Sequence, residues 1–294
     1  MLAPVILPRI LVRPLLSRTF SVTRASLVGG DAPKPPEYHE GRLEGTAGQH
    51  DCYILLHTSL SPEEFPSVYK TPLQLELVRR ASKWGGTVNF SRLEGEPATP
   101  DTQPATVFSH LGGKLEIPNV TMENLDEVEE LIQNHMKGPI TKSTSEDMHI
   151  YVCTHGARDC RCGERGVQVF KALLDVVKKE RDMNPNSPAR FIKVGEVGHV
   201  GGHKYAANVL LYPQGEWLGA VKPEDAPSII SQACAALEKG VRPLDANAEP
   251  LFISKWRGRM GLSKEAQKEL FMKVTSGQKV PDASELDLQP ASRA

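Results

Sequence analysis

The sequence predicts an α/β protein made of two tandem units, each containing a mixed sheet. Strand-like alternation and helical apolar periodicity follow the order strand, helix, strand, strand, helix in the first unit. The second unit gives strand, helix, strand, hairpin and helix, and its hairpin turns at Pro213-Gln214-Gly215. That order is typical of the thioredoxin fold, in which helices cover a mixed sheet. We therefore expect two tandem thioredoxin-like domains, over residues 49–140 and 141–245.

The individual elements are predicted from their apolar spacing and from the residues that end them. In the first unit, strand, helix, strand, strand and helix are expected over residues 52–57, 72–84, 87–93, 106–110 and 122–135. In the second unit, the corresponding segments are 148–154, 163–180, 190–197, 208–212 with 216–221, and 223–239. Pro223 and Gly240 suit the start and the end of the last helix. A further short helix is predicted after Ser263.

Composition excludes several functional classes. The chain has 294 residues, enough for two domains that each bury a core. Its 35 basic and 36 acidic residues nearly cancel, so no strong field favours nucleic acid or an anionic membrane as a partner. Three of the five cysteines fall within residues 153–162, which is typical of metal or redox chemistry rather than of a secreted disulfide framework. The other two, Cys52 and Cys234, fit core positions.

The first 30 residues have the composition of a mitochondrial presequence. They contain four arginines, and the first acidic residue of the chain is Asp31. Prolines and arginines interrupt the apolar run over residues 2–16, so it is too broken to span a bilayer, which takes roughly 20 apolar residues. We expect cleavage after Phe20 and delivery to the matrix. Residues 31–48 are rich in Pro and Gly and are predicted to be a linker.

Two cysteines and two histidines dominate the second unit. Cys153 ends its first strand and Cys162 precedes its first helix, while His199 and His203 follow its second strand. Thiolates and imidazoles suit a transition metal or an iron–sulfur cluster. The intervening Gly201-Gly202 pair costs a helix about 2 kcal/mol relative to alanines, which favours a loop. Because both loops end at one edge of a thioredoxin-like sheet, we expect the four side chains to converge. The first unit shows no such pair and is interpreted as a degenerate thioredoxin-like module.

These residues belong to a set of motifs that resembles a known family. The motifs are Cys-x8-Cys, Gly-His-x-Gly-Gly-His-Lys, Asn-Val-Leu-Leu-Tyr-Pro and a late Trp-Arg-Gly-Arg-Met-Gly-Leu. Together, over residues 48–265, they resemble the fungal sucrase/ferredoxin-like proteins, and the presequence favours the mitochondrial branch. The resemblance implies that the second domain is a thioredoxin-like ferredoxin. It also implies that Cys153, Cys162, His199 and His203 bind a [2Fe–2S] cluster.

The implied ligand set has electrostatic consequences. An oxidised [2Fe–2S] core with two thiolates and two neutral imidazoles is formally neutral, whereas four thiolates would leave it negatively charged. We therefore expect a potential in the elevated range of Rieske centres, about −150 to +300 mV. Each ligating imidazole keeps a second nitrogen that can hold a proton, so the potential should fall as the pH rises. His203→Cys should lower the potential without abolishing the cluster.

The resulting functional prediction is a mitochondrial electron carrier or redox-control protein rather than a hydrolase. Its partner would be a redox protein or a small-molecule oxidant, and neither nucleic-acid binding nor a membrane span is expected. Two other interpretations stay open. One is a zinc-stabilised interaction module that uses the same two cysteines and two histidines. The other is a thiol oxidoreductase that works through Cys160 and Cys162.

Several neighbouring residues have both a structural and a functional interpretation. His155 is interpreted as an ordinary loop histidine, with metal ligation or proton transfer as the alternative. Lys204 and Tyr205 fit either the surface or a layer of side chains around the ligands. The tail, residues 246–294, contains the Trp-Arg-Gly-Arg motif and either packs onto the domain or covers the edge of the site.

Overall fold

The computed structural model describes residues 36–95, 102–138 and 146–277. The strands are β1 (Cys52–His57), β2 (Gly86–Leu93), β3 (Ala105–Ser109), β4 (Gly113–Ile117), β5 (Met148–Cys153), β6 (Ile192–Val197), β7 (Val209–Tyr212), β8 (Glu216–Leu218) and β9 (Trp256–Arg259). The helices are α1 (Pro72–Ala81), α2 (Leu125–Lys137), α3 (Val167–Met183), α4 (Ala226–Glu238) and α5 (Lys264–Thr275). The predicted presequence lies outside the described residues, as does the predicted domain boundary at 140.

The described strands form one mixed sheet in the order β4-β3-β1-β2-β6-β5-β7-β8-β9. Within it, β2-β1-β3-β4 and β6-β5-β7-β8 repeat one arrangement: the first two strands are parallel, and the last two form an antiparallel hairpin. The predicted mixed α/β class is confirmed. Because β2 pairs directly with β6, the two halves share one sheet, and their division into two domains stays a prediction.

The register relates the two halves by an approximate twofold axis. His57 at the end of β1 lies opposite Ser91, and Cys153 at the end of β5 lies opposite Val197. Ser91 and Val197 in turn pair with each other across the antiparallel β2–β6 contact. A rotation about that pair therefore exchanges the halves and places His57 on Cys153.

The two faces of the sheet bury different kinds of side chain. On one face, α1 and α2 cover the first half and α3 and α4 cover the second half, each pair over an aliphatic core. The other face, called the aromatic face below, carries a layer that crosses both halves and contains five aromatic side chains: Tyr53, Phe108, Tyr151, Tyr212 and Trp217. Alternation along a strand explains the division, because successive side chains point to opposite faces. Cys153 lies on the aromatic face.

Differences from the sequence prediction include the start of α2, the presence of β4 and the structure of the tail motif. Helix α2 begins at Leu125 rather than at residue 122, because Thr121 and Asn124 exchange side-chain hydrogen bonds in a polar turn. Strand β4 was not predicted; it begins at Gly113, which has a φ of 77°, and its polar residues hide the alternation. The Trp-Arg-Gly-Arg motif forms β9, which extends the sheet beside β8.

Candidate metal centre

Cys153 and Cys162 are brought together by a loop that requires glycine. Cys153 is the last residue of β5, and Cys162 opens a helical turn that leads into α3; both are buried. A Cβ atom on Gly166 would lie 2.1 Å from the Cys153 carbonyl oxygen. A Cβ on Gly163 would lie 2.7 Å from the Cα of Gly156. Only residues without a side chain allow the loop to fold back this closely on the strand.

The histidines lie on a loop, as the glycines between them predict. His199 follows β6, and the chain then passes through Gly201 and Gly202 with φ values of 79° and 63°. This left-handed backbone is accessible to glycine at little cost. His203 then opens a short helical turn that ends at Tyr205.

Three of the four predicted ligands converge on one point. The two sulfurs of Cys153 and Cys162 and a ring nitrogen of His199 lie within 4.8 Å of one another. His203 lies beside this group rather than in it: its ring centre is 5.7 Å from that of His199. Its side chain is 48% exposed, and its Nδ1 lies 3.5 Å from a carboxylate oxygen of Asp159. His203 is therefore the solvent-facing member of the set.

Hydrogen bonds set the protonation of the cysteine pair. The Cys162 thiol donates to the Cys153 sulfur, and this bond, with further ones from His199 and the Val200 amide, holds the pKa of Cys153 well below its ordinary value despite burial. The same bond and burial raise the pKa of Cys162. These contacts therefore favour the thiolate form of Cys153, which is the form that binds metals.

Charged residues surround the exposed side of the group. Asp159 accepts hydrogen bonds from Arg161, which lower the pKa of Asp159 and keep it ionised next to His203. The guanidinium of Arg165 lies 3.6 Å from the ring centre of Tyr38. Arg161 also donates to the carbonyl of Glu37, so the segment before β1 lies against the cysteine loop.

The first half of the sheet holds the histidine loop in place. The Gly198 amide donates to the Phe90 carbonyl at 2.9 Å, and the Asn89 side chain donates back to the Gly198 carbonyl at 3.1 Å. On the cysteine loop, His155 contacts the Pro66 carbonyl at 2.8 Å and packs edge-on against Phe65. The ligand group therefore lies where the two halves meet, although the second half supplies every ligand.

Comparison with known proteins places this arrangement in a family. The family model described as "Sucrase/ferredoxin-like" matches residues 43–245. The chain belongs to the sucrase/ferredoxin-like family. The matched region covers both sheet halves and all four predicted ligands, which confirms the resemblance drawn from the motifs.

Individual curated relatives are similar to this chain over a shorter stretch than the family model. Altered inheritance of mitochondria protein 32 from Meyerozyma guilliermondii is 32% identical over 120 residues, 40% of each chain. Actin patches distal protein 1 from Saccharomyces cerevisiae is 35% identical over 121 residues, 39% of this chain and 37% of that protein. The match thus spans about two fifths of the length of these curated relatives.

Among solved structures, a thioredoxin-like [2Fe–2S] ferredoxin from Aquifex aeolicus is similar at 23% identity. That match covers 33% of this chain and 91% of the ferredoxin, with a TM-score of 0.27.

The other residues singled out in the sequence occupy either buried structural positions or the surface. Cys160 is exposed, whereas Cys52 is buried in the core and Cys234 is half-buried. His155 is buried with its ring nitrogen bonded to a backbone carbonyl, which matches its interpretation as a structural loop residue. Lys204 lies over the ring of Tyr205.

Sequence reasoning missed the residues that support the ligand loops. Asn89 lies outside every quoted motif, whereas Asp159, Asn208 and Arg257 lie inside motifs that assigned them no role. Spacing along the chain carries no signal for Asn89, because its contact with residue 198 depends on the pairing of β2 with β6. Within the described residues, no helix has the length and hydropathy to cross a membrane.

Proposed function

We propose that this protein binds a [2Fe–2S] cluster through Cys153, Cys162, His199 and His203 and acts as a mitochondrial redox protein. The observation that carries the proposal is the convergence of two buried sulfurs and an imidazole nitrogen within 4.8 Å. Family membership supports it, because the family model covers all four residues.

The donor set fits the group. Two cysteines provide the thiolates that iron–sulfur clusters prefer, and imidazoles replace the second thiolate pair in Rieske-type centres. The lowered pKa of Cys153 makes one thiolate available before any metal arrives. The loop glycines let the cysteine loop pack against the Cys153 carbonyl and against Gly156 without a side chain in between.

A bound cluster would accept and return one electron. The surrounding residues determine what accompanies that electron. Burial of Cys153 and Cys162 keeps water from the thiolate side. On the other side, the His203 ring is exposed and its Nδ1 lies 3.5 Å from a carboxylate oxygen of the ionised Asp159. An imidazole that binds through one nitrogen keeps a second nitrogen that can carry a proton. We therefore expect electron and proton uptake to be coupled, and the midpoint potential to fall as the pH rises.

Anaerobic purification of the full chain tests the proposal. We expect a red-brown protein with about two irons and two sulfides per chain, the content of a [2Fe–2S] centre. Cys162→Ser should abolish the colour, whereas Cys160→Ser should keep it, because Cys160 is exposed and lies outside the ligand group. A colourless protein without iron would overturn the assignment.

A structural zinc site is the second candidate. The arrangement of three donor atoms around one point also suits a single tetrahedral ion, with His203 as the fourth ligand after a small movement. Metal analysis of the same preparation separates the two candidates. One zinc per chain, no sulfide and no visible absorption would establish the zinc site.

The mitochondrial part of the proposal is supported by relatives named for mitochondrial inheritance and by the Arg-rich, acid-free first 30 residues. N-terminal sequencing of the protein from isolated mitochondria should show a chain that begins near Ser21. Protease protection after rupture of the outer membrane then tests the matrix location. A chain that retains Met1 would contradict the presequence.

A further inference from the structure

Arg257 is a buried cation whose hydrogen bonds all go to neutral groups. It lies in β9 and is 2% exposed. Its guanidinium donates to Thr46 Oγ1 at 3.0 Å, to the Thr46 carbonyl at 2.5 Å and to Asn208 Oδ1 at 2.6 Å. Within the described ranges, it forms no ion pair with a carboxylate. By contrast, Arg259, two residues later, pairs with the buried Glu216. A buried charge without a counter-ion is costly, so Arg257 requires an explanation.

Asn208 connects Arg257 to both ligand-bearing segments. Its side-chain oxygen accepts from Arg257, and its side-chain nitrogen donates to the Gly202 carbonyl at 3.2 Å, next to His203. Its own carbonyl accepts from the Cys153 amide at 3.1 Å. Asn208 therefore links the guanidinium by hydrogen bonds to the histidine loop and to the end of β5.

The guanidinium also touches the histidine loop directly. A Cβ on Gly202 would lie 2.8 Å from Arg257 Nη2, so the loop backbone lies against the cation. The guanidinium carbon is 4.5 Å from the ring centre of Tyr205, the last residue of the turn that His203 opens. On its way there, the Arg257 side chain crosses Gly219, where a Cβ would lie 2.5 Å from Arg257 Cδ. The cation is thus held in a fixed orientation.

We propose that Arg257 is a positioning residue of the metal centre, which fixes the histidine loop relative to Cys153 and offsets negative charge on the thiolates and the bound group. This inference rests on the proposed function. Burial lowers the pKa of Arg257 to about 10, although Tyr205 and the Cys153 sulfur oppose the decrease. The guanidinium therefore stays charged at neutral pH, so it can offset the negative charge that a bound centre brings through its cysteine ligands.

Two separable effects follow from this role. Reduction adds negative charge to the centre, so a fixed cation nearby favours the reduced state and raises the midpoint potential. The planar fork of the guanidinium makes three directed hydrogen bonds that an ammonium cannot reproduce. Charge should therefore control the potential, whereas the fork should control the order of the loop.

Arg257→Met and Arg257→Lys separate the two effects. Arg181→Met is the control away from the site, because Arg181, although exposed, also donates to neutral groups, the carbonyls of Ala189 and Ile192, near the other end of α3. Two quantities are measured on the full chain. One is the midpoint potential of the anaerobically purified protein. The other is the hydrogen-exchange rate of the Tyr205 and Ala206 amides in the metal-free protein, where both are bonded within the histidine loop.

The proposal predicts a distinct pattern. Arg257→Met should lower the midpoint potential and speed exchange of both amides at least several-fold. Arg257→Lys should keep a potential near that of the wild type but still exchange faster, and Arg181→Met should match the wild type in both. A wild-type potential and wild-type exchange in Arg257→Met would overturn the inference, as would equal shifts in Arg181→Met.

The same experiment distinguishes this inference from the proposed function. If the wild type carries no iron, the proposed function fails, and unchanged exchange in metal-free Arg257→Met would separately overturn the positioning role. If the wild type carries a cluster and Arg257→Met behaves like it, only the inference fails. Should Arg257→Met not fold, Arg257→Lys decides through its amide exchange, and an unchanged rate would reject the role of the fork.

Discussion

The two halves of the sheet share one strand order, yet all four predicted ligands lie in the second. The twofold relation places His57 of β1 on Cys153 of β5, so corresponding strand ends carry different chemistry. In the first half, the His57 ring forms a hydrogen bond with the hydroxyl of Thr106 at 2.7 Å, within the same half of the sheet. In the second half, Cys153 meets Cys162 and His199. The fold therefore provides equivalent positions, and the residues at the strand ends decide which of them forms a site.

The first half contributes to the site in another way. Asn89 and the Pro66 carbonyl contact the histidine and cysteine loops from across the β2–β6 boundary. One half supplies ligands and the other supplies support. The following experiments test that division of roles, in order of decreasing expected effect.

The largest effect, on metal content, is expected from a change at Cys153, at the end of β5, compared with one at His57, at the equivalent end of β1. Cys153→Ala removes a thiolate that lies at the centre of the ligand group, so metal binding should be lost completely. His57→Ala changes the related position in the first half and should leave metal content unchanged. Metal analysis and visible absorption of both purified variants measure the contrast. Equal loss in the two variants would contradict the assignment of ligands to the second half alone.

The next effect concerns the aromatic layer that both halves share. His50 packs edge-on against Tyr53 and Trp217, and burial lowers its pKa to about 4 from an ordinary value near 6.5. The unfolded chain therefore binds a proton more readily than the folded one, so acid favours unfolding between these two pH values. The shift corresponds to about 3 kcal/mol lost as the pH falls from above 6.5 to 4.

Denaturant unfolding at pH 7 and pH 4.5 checks this expectation. The wild type should lose more unfolding free energy between the two values than His50→Gln, which carries no group that titrates there. The buried His149, whose pKa burial also lowers, should leave part of the acid sensitivity in the variant. Identical losses of unfolding free energy in wild type and variant would show that His50 does not cause the acid sensitivity.

A smaller effect is expected from the close packing between the cysteine loop and β5 in the second half. Gly166→Ala would place a Cβ 2.1 Å from the Cys153 carbonyl oxygen, which forces the cysteine loop away from β5. Overpacking of this kind costs about 1–3 kcal/mol of unfolding free energy. Gly48→Ala is the control, because nothing lies within 4 Å of its Cβ position. Similar stabilities for the two variants would show that the loop has room to move.

The smallest effect tests the support from the first half. Asn89→Ala removes the bond to the Gly198 carbonyl and should cost about 1 kcal/mol of stability while speeding loss of the bound metal to a chelator. Asn119→Ala is the control, because that side chain accepts from the Gln103 amide within the first half. We expect a similar loss of stability there but an unchanged rate of metal loss. Equal rates of metal loss in both variants would show that the first half does not stabilise the ligand loops.

The sequence allowed most elements to be predicted, because apolar periodicity and terminating residues act locally. It also predicted that Gly201 and Gly202 place the histidines on a loop. The pairing of β2 with β6 was not predictable, since nothing local in either strand specifies a partner from the other half. Asn89 and Arg257 were missed as parts of the site for the same reason: their contacts with the ligand loops exist only after the sheet has formed.

The β2–β6 pair also determines whether the halves can be separated. In isolation, each half would end on one of these strands and would expose a row of unpaired amide and carbonyl groups, which favours aggregation. Joining them covers both rows and leaves β4 and β9 as the outermost strands of the sheet. We therefore expect the half that contains Cys153 to depend on the other half for solubility, and a fragment that begins at residue 146 should be less soluble than the whole chain.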